Sequence, residues 1–118
     1  MTGAGEKPVD QFKRVPKGDG EVFTPKALNG DEKPTYKGIS YTSGDNVDSV
    51  ILQPVNEKGE KVGEPTTVPV GKTDKPTTAT LRNPEQSDSL EVTFVPKRNG
   101  ETPDAVVTSI IACMKEDG

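Results

Sequence analysis

Histidine is absent from this chain of 118 residues, which also has one cysteine and no tryptophan. Without histidine the chain has no Ser-His-Asp or Cys-His catalytic site and no histidine-ligated zinc or haem. A single cysteine excludes a disulfide within the chain and any cluster of cysteine ligands. Carboxylate pairs that hydrolyse glycosides sit in clefts with aromatic platforms, and 2 Tyr and 3 Phe give little material for one. The chain is therefore predicted not to be an enzyme.

Excess positive charge and long apolar runs are also missing. The 15 basic and 19 acidic side chains give a formal net charge of -4, and the pI is about 4.9. Nucleic-acid binding needs a basic face that attracts phosphates, so no nucleic-acid partner is predicted. No apolar run reaches the roughly 18 residues of a membrane-spanning helix, and no signal-peptide apolar region follows Met1. The length suits one domain.

Glycine and proline are plentiful instead, at 12 and 11 residues. Together with Asn and Asp they form turn signals about every ten residues, because these residues tolerate positive φ or bond to their own backbone. The intervening runs are rich in β-branched and aromatic residues and predict seven strands. They are Glu21–Thr24, Thr35–Thr42, Val47–Val55, Thr66–Val70, Thr77–Leu81, Leu90–Val95 and Ala105–Met114.

Short strands at this spacing indicate a β-sandwich or a barrel. We predict an all-β fold, a jelly-roll-like antiparallel β-sandwich of seven or eight short strands, over residues 21–118. The polar segment before it, residues 1–20, is predicted to be an irregular N-terminal arm with one apolar patch docked on the domain.

Alternation of side chains along a strand predicts which residues face the core. Ile39 and Tyr41 are expected to point inward, because they alternate with small or polar residues. Proline cannot donate a hydrogen bond to a neighbouring strand, so Thr66–Val70, which contains Pro69, is expected at a sheet edge. The last run, Ala105–Met114, is apolar on both faces and is expected to be a central strand, or one covered by the N-terminal arm. A helix there is disfavoured by its succession of β-branched residues.

Three carboxylates are candidate calcium ligands. Asp31 lies in one predicted turn, and Asp45 and Asp48 lie in and beside the next. Calcium takes oxygen ligands from loop carboxylates and carbonyls, although no run here has the ligand spacing of an EF-hand loop. The alternative is that these are ordinary solvated turn residues. No other cofactor is predicted.

From Asn46 onward the strand and turn pattern resembles a known family of modules. The segment NVDSVILQPV begins at Asn46 and is followed by a charged, glycine-closed hairpin. GEPTTVPV begins at Gly63, LEVTFVP begins at Leu90, and VVTSIIAC ends at Cys113. This order resembles the discoidin-like (galactose-binding-like) β-sandwich modules of secreted invertebrate mucin-like and von Willebrand-type multidomain proteins. The resemblance covers about residues 22 to 113.

The resemblance implies a non-catalytic, extracellular structural or adhesive module of a secreted matrix or mucus protein. Its partners would be other matrix or mucus proteins, or glycans. The closing cysteine of the family pattern falls on Cys113, and such modules usually pair it with a cysteine near their start. This chain has none there, so the second cysteine lies outside these 118 residues or the module lacks it. Sugar-binding loops of discoidin relatives carry aromatic residues and arginine, and Tyr36, Tyr41 and Arg98 are the residues of this chain that would take that part.

Other interpretations stay open. The chain is alternatively a carbohydrate-binding module that recognises glycans through the loops around Asn29–Asp31, Ser43–Asn46 and Asn83–Asp88. It is alternatively a bacterial or phage surface domain of the immunoglobulin type, which has similar strand spacing and a composition rich in Thr, Lys and Gly. For Cys113, the alternative to a disulfide is a small buried apolar side chain.

Overall fold

The computed structural model describes residues 6–9, 11–26 and 33–115, and their regular structure is entirely β. Nine strands follow one another in the described ranges. They are β1 (Glu6–Pro8), β2 (Phe12–Lys17), β3 (Gly20–Pro25), β4 (Thr35–Ser43), β5 (Val47–Val55), β6 (Thr66–Pro69), β7 (Thr77–Gln86), β8 (Ser89–Pro96) and β9 (Ala105–Lys115). Strands β3 to β9 overlap the seven predicted runs. Within the same ranges, no helix is long and apolar enough to cross a membrane.

The strands form two antiparallel sheets, and their pairing is nested. The sheet orders are β1-β9-β4-β7 and β2-β3-β8-β5-β6. Apart from β2, the outermost pair in the chain is β1 with β9, and inside it lie β3 with β8, β4 with β7, and β5 with β6. Four nested pairs shared between two sheets are the arrangement of a jelly roll. The predicted all-β, jelly-roll-like sandwich is confirmed.

The position of the last strand separates this fold from the immunoglobulin order. In an immunoglobulin domain the last strand lies beside the one that precedes it in the chain. Here β9 pairs with β4 in the first sheet, while the preceding strand β8 lies in the second. The immunoglobulin interpretation therefore does not fit the strand order.

The prediction of an irregular arm over residues 1–20 is wrong for the described part of that segment. Strand β1 extends the first sheet beside β9, and β2 forms a hairpin with β3 through a turn at Gly18 and Asp19. Pro8 and Pro16 favoured irregular structure in the sequence. Both lie in edge strands. Proline has no backbone N–H, and an edge strand tolerates it because one side of the strand has no neighbouring strand that needs a donor there.

Two other expectations about strands have different outcomes. Strand β6 is at the edge of the second sheet, as predicted. Strand β9 lies between β1 and β4, but it is not buried on both faces, since Val106 is 52% exposed and Val107 only 3%. A sandwich buries only the facing sides of its two sheets, so the outward apolar residues of β9 remain at the surface.

The core lies between the two sheets and includes two tyrosines. Ile39 and Tyr41 point inward, as predicted, and are almost fully buried. Tyr36 is also fully buried, although strict alternation with Ile39 would put it outside. The register with β9 passes from Tyr36 opposite Ala112 to Gly38 opposite Ile111, so Lys37 is an extra residue in β4. This bulge shifts the side-chain period and turns Tyr36 into the core.

The irregularity also brings the backbones of β4 and β7 close together at Gly38. A Cβ atom on Gly38 would collide with the carbonyl oxygen of Ala79 and lie 2.9 Å from the Cα of Thr80. Both neighbours are backbone atoms, which cannot turn aside as a flexible side chain can. The close approach therefore requires glycine at this position.

Replacing Gly38 with alanine tests this close approach. We expect Gly38→Ala to lower the free energy of unfolding by about 2 to 3 kcal/mol, as overpacking does. A Cβ atom on Gly71 would meet nothing within 4 Å. Gly71→Ala is thus the matched control and should stay within about 0.5 kcal/mol of the unaltered protein. Urea denaturation followed by circular dichroism measures both variants, and equal losses would contradict the close approach.

Candidate functional site: a slit beside the last strand

A groove of about 480 Å³ opens between the two sheets on the side where β2 and β9 face each other. Phe12 and Arg14 of β2 and Phe23 of β3 form one wall. The other wall is β9 from Val107 to Cys113, with Val9 at the end. Residues of the strands form most of both walls, so the hydrogen bonds between strands fix the shape of the groove.

The groove exists because β1 covers only one end of β9. The three residues of β1 pair with Cys113 to Lys115, and the N–H of Val9 then donates to the carbonyl of Ala112 at 2.9 Å. In the described ranges, no strand pairs with residues 105–111 on the side opposite β4. Because backbone groups two residues apart in a strand point the same way, Ile110 presents its N–H and C=O to this side, as Ala112 does.

The side chain of Arg14 forms part of the groove wall and is held in place by Glu21 and Phe23. Its Nε and Nη2 donate to the two carboxylate oxygens of Glu21, at 3.2 and 2.9 Å. Its guanidinium also lies 5.1 Å from the ring centre of Phe23. The ion pair is largely exposed and adds little to stability, but the two-point geometry orients the guanidinium. The charge in the groove is therefore fixed and already neutralised.

A second groove of about 350 Å³ continues along the N-terminal part of β9. It is bordered by Ala105 of β9 and by the acidic residues Asp19, Glu21 and Glu101. Arg14 borders the first groove and Glu21 the second, so their ion pair marks the junction. We call the two grooves together the side slit. It follows β9 from Cys113, where it is mainly apolar, to Ala105, where it is acidic.

Asn46 fixes the loop that closes the acidic end of the side slit. Its side-chain amide donates to the carbonyl of Thr102 at 2.9 Å, and its Oδ1 accepts the N–H of Asp104 at 2.8 Å. Its own carbonyl accepts the N–H of Lys97 at 2.9 Å. One asparagine in the turn before β5 thus positions the whole segment between β8 and β9.

The candidate calcium ligands are only partly placed by the structure. Asp45 and Asp48 are exposed, in the turn before β5 and in β5 itself, and Asp31 lies outside the described residues. Over residues 6–9, 11–26 and 33–115, no group of three or more His, Cys, Asp or Glu could hold a metal ion. A calcium site that includes Asp31 stays a prediction.

The residues expected to contact a ligand do not share a surface. Tyr36 and Tyr41 are core residues, 0% and 3% exposed, whereas Arg98 is exposed in the loop after β8. The hydroxyl of Tyr36 donates to the carbonyl of Asp88 at 3.2 Å. The ring of Tyr41 packs against Phe94, with 6.0 Å between ring centres. Neither tyrosine presents its ring to a ligand at the surface, contrary to what the resemblance implied.

Cys113 has a free thiol and is half-buried. It lies in β9 opposite Thr35 of β4 and Pro8 of β1, and it borders the apolar end of the side slit. A disulfide to a cysteine outside this chain stays a prediction. The half-buried position fits neither a fully buried apolar side chain nor a fully exposed thiol.

The walls of the side slit contain residues that sequence reasoning missed. Phe12 and Arg14 both fall in residues 1–20, the segment for which the sequence predicts an irregular arm. A signal was present, because the turn Lys17–Gly20 is a hairpin turn and needs a strand on each side. The alternation of Phe12 and Arg14 with Lys13 and Val15 supplies that strand.

Comparison with known proteins adds no relative. No protein-family model, no curated protein and no solved structure matches the chain. The resemblance to discoidin-like modules therefore stays a prediction, and the function has to be argued from the site.

Tyr36 gives a prediction about stability at high pH. Burial, and to a smaller extent the Asp88 carboxylate, raise the pKa of Tyr36 well above its usual value near 10. Above about pH 10 the unfolded chain therefore releases a proton that the folded protein keeps, so the free energy of unfolding falls as the pH rises.

We expect Tyr36→Phe to remove this part of the pH dependence. Near neutral pH the variant should be less stable by about 1 kcal/mol, since the hydrogen bond to the Asp88 carbonyl is lost. Between about pH 10 and pH 12 its free energy of unfolding should fall less steeply than that of the unaltered protein. Urea titrations at a series of pH values measure both slopes, and parallel curves would rule out the proposed ionisation.

Proposed function

We propose that this chain is a non-catalytic structural or adhesive module of a secreted matrix or mucus protein, and that the side slit contacts its macromolecular partners. The observation that carries the proposal is the open edge of β9 beside an apolar groove. Strand edges and apolar grooves are the features through which many modules bind other proteins. The discoidin-like sequence pattern supports the extracellular setting.

The side slit is suited to binding because its walls are fixed before a partner arrives. Phe23 is almost fully buried and Phe12 packs 6.4 Å from the ring centre of Tyr36. Arg14 is held by Glu21, and the loop at the far end is held by Asn46. A surface that is already ordered loses little conformational entropy on binding.

Two further features belong to the same proposal. Cys113 borders the apolar end of the side slit, where a partner's cysteine would reach it. In the oxidising extracellular environment that is proposed here, an external oxidant would take up the two electrons and two protons released when the two thiols join as a disulfide. A structural calcium ion would be held by Asp31, Asp45 and Asp48. Glycan binding is not proposed as a second function, because Tyr36 and Tyr41 are used in the core.

Adhesion to a mucin-coated surface tests the proposal. We expect Arg14→Glu to weaken binding about tenfold, because it breaks the ion pair with Glu21 and puts two carboxylates at the middle of the side slit. Lys13→Glu is the matched control, since it makes the same charge change on the opposite face of β2, and its binding should stay within about twofold. Biolayer interferometry measures both, and thermal melts check that both variants fold. If Arg14→Glu fails to fold, Arg14→Gln replaces it.

The same surface distinguishes the alternatives. Enzymatic removal of the mucin O-glycans should leave binding in place if the partner is protein, and loss of binding would indicate a lectin instead. Equal weakening by Arg14→Glu and Lys13→Glu would mean non-specific attraction of charge and would contradict a role for the side slit. Dependence on calcium is read from the melting temperature with and without millimolar calcium, because a bound ion stabilises the folded state.

A further inference from the structure

We propose that β9 binds an extended segment of a partner protein as an additional strand, antiparallel to β9 and in line with β1. The segment would have apolar side chains at alternate positions and a basic residue at its carboxyl-terminal end. The inference rests on the proposed function and names the chemistry of the partner that the side slit takes.

Among residues 6–9, 11–26 and 33–115, no strand pairs with residues 105–111 of β9 on the side opposite β4. Strand β1 occupies that side only opposite Cys113 to Lys115. After Val9 the chain crosses to the second sheet and begins β2 at Phe12. The uncovered stretch of β9, residues 105–111, is seven residues long, so a segment of about seven extended residues has the length needed to follow it.

The edge strands of the two sheets differ from β9 in their charged residues and prolines. Strand β2 carries Lys13, Arg14, Pro16 and Lys17, β6 contains Pro69, and the edge strand β7 contains Arg82, Pro84 and Glu85. Charged residues and prolines on edge strands discourage the addition of another strand. Residues 105–112 of β9, AVVTSIIA, contain neither a charge nor a proline. β9 contains one bulge, at Thr108, but this stretch of it lacks the charges and prolines that protect the other edges.

The added strand would direct some of its side chains into the groove. Ala112 and Ile110 are buried and face the second sheet. The carbonyl of Ala112 already accepts the N–H of Val9, so the first backbone groups that face an added strand are those of Ile110. In an antiparallel pair, opposite residues share a face, so the side chain opposite Ile110 would enter the groove against Phe12 and Phe23.

Thr108 is an extra residue in β9, so the inward face of β9 continues at Val107, and the next inward side chain of the segment would lie opposite Val107. These positions favour apolar side chains. A second copy of the chain fits less well as the added strand. Its inward side chains, such as Ile110, are buried in its own core, so they would not enter the groove of the first copy.

The acidic end of the side slit determines which charge suits the carboxyl-terminal end of the segment. An antiparallel strand would run from Ala112 towards Ala105, so its carboxyl-terminal end would reach the acidic part of the side slit. Asp19 and Glu101 border that part and are exposed, while Glu21 is paired with Arg14. A lysine or arginine at the carboxyl-terminal end of the segment complements these carboxylates. Because Arg14 is already neutralised, an acidic side chain has no matching partner in the groove.

A labelled synthetic peptide tests the inference on the unaltered protein. The probe is fluorescein-Thr-Val-Thr-Val-Thr-Val-Thr-Lys-Lys-amide, and its binding is followed by fluorescence polarisation. Two N-methylated versions keep the same side chains and charge but remove backbone donors, one version at the three valines and the other at the threonines between them.

The two N-methylated versions are expected to differ in affinity, because they lose backbone donors on opposite sides of the added strand. The inward-facing residues of the added strand would also point their N–H groups at β9, since the first of them lies opposite Ile110, whose N–H and C=O face the added strand. Methylation at the valines should therefore weaken binding about tenfold or more, and methylation at the threonines should change it about twofold or less. Equal effects of the two versions, or no binding of the parent peptide, would overturn the inference.

Charge reversal at the acidic end provides a second, independent readout. Glu101→Lys should weaken binding of the lysine-ended peptide about fivefold and should strengthen binding of a version that ends in Glu-Glu. Glu64→Lys makes the same change on the exposed loop between β5 and β6 and should leave both affinities unchanged. Equal effects of the two variants would overturn the assigned direction.

Failure of the inference is distinguishable from failure of the proposed function. If the peptides do not bind but Arg14→Glu still weakens adhesion to mucin about tenfold, the proposed function stands and the added strand is wrong. If analytical ultracentrifugation shows a concentration-dependent dimer that the peptide does not dissociate, a second copy occupies the β9 edge and the inference is overturned.

Discussion

The structure depends on the antiparallel pairing of β9 with β4, which joins the end of the chain to a strand near its first third. This pairing completes the first sheet, because β9 also pairs with β1, and β4 also pairs with β7. The pairs that β5 makes with β6 and β8 in the second sheet lie between β4 and β9 in the chain. Such distant pairing costs chain entropy, which the buried inner faces of both sheets must offset. The core residues on β4 and β9, Ile39, Tyr41, Val107 and Ile110, therefore stabilise the topology as a whole.

Much of this fold is predictable from local signals, and the parts that are not have identifiable physical causes. The turn residues delimit β3 to β9 because their backbone preferences act over two or three positions. Nothing local determines that β9 returns to β4, since this choice is made by packing across the sandwich. Tyr36 was expected to face outward because the bulge at Lys37 cannot be read from alternation. Pro8 and Pro16 hid β1 and β2 because an edge strand tolerates proline.

The candidate site was less predictable than the fold. Asp45, Tyr41 and Cys113 drew attention through their chemistry, since carboxylates, aromatic rings and thiols bind ligands in many proteins. The side slit is made instead of residues such as Phe12 and Phe23, which in a sequence look like ordinary apolar positions. They form a binding surface only because β2 and β9, which are remote in the chain, face each other across the gap between two sheets.

The vacancy beside β9 follows from the topology of the jelly roll. The chain must leave the first sheet after β1 to form β2 and β3 in the second sheet, so β1 is unable to follow β9 along its whole length. An exposed strand edge of this kind invites unwanted pairing, and charges or prolines usually prevent it. The other edges of this molecule have them, but residues 105–112 do not. An edge that no strand of the described ranges covers and that lacks charges and prolines, beside a groove with fixed walls, has the properties of a binding surface.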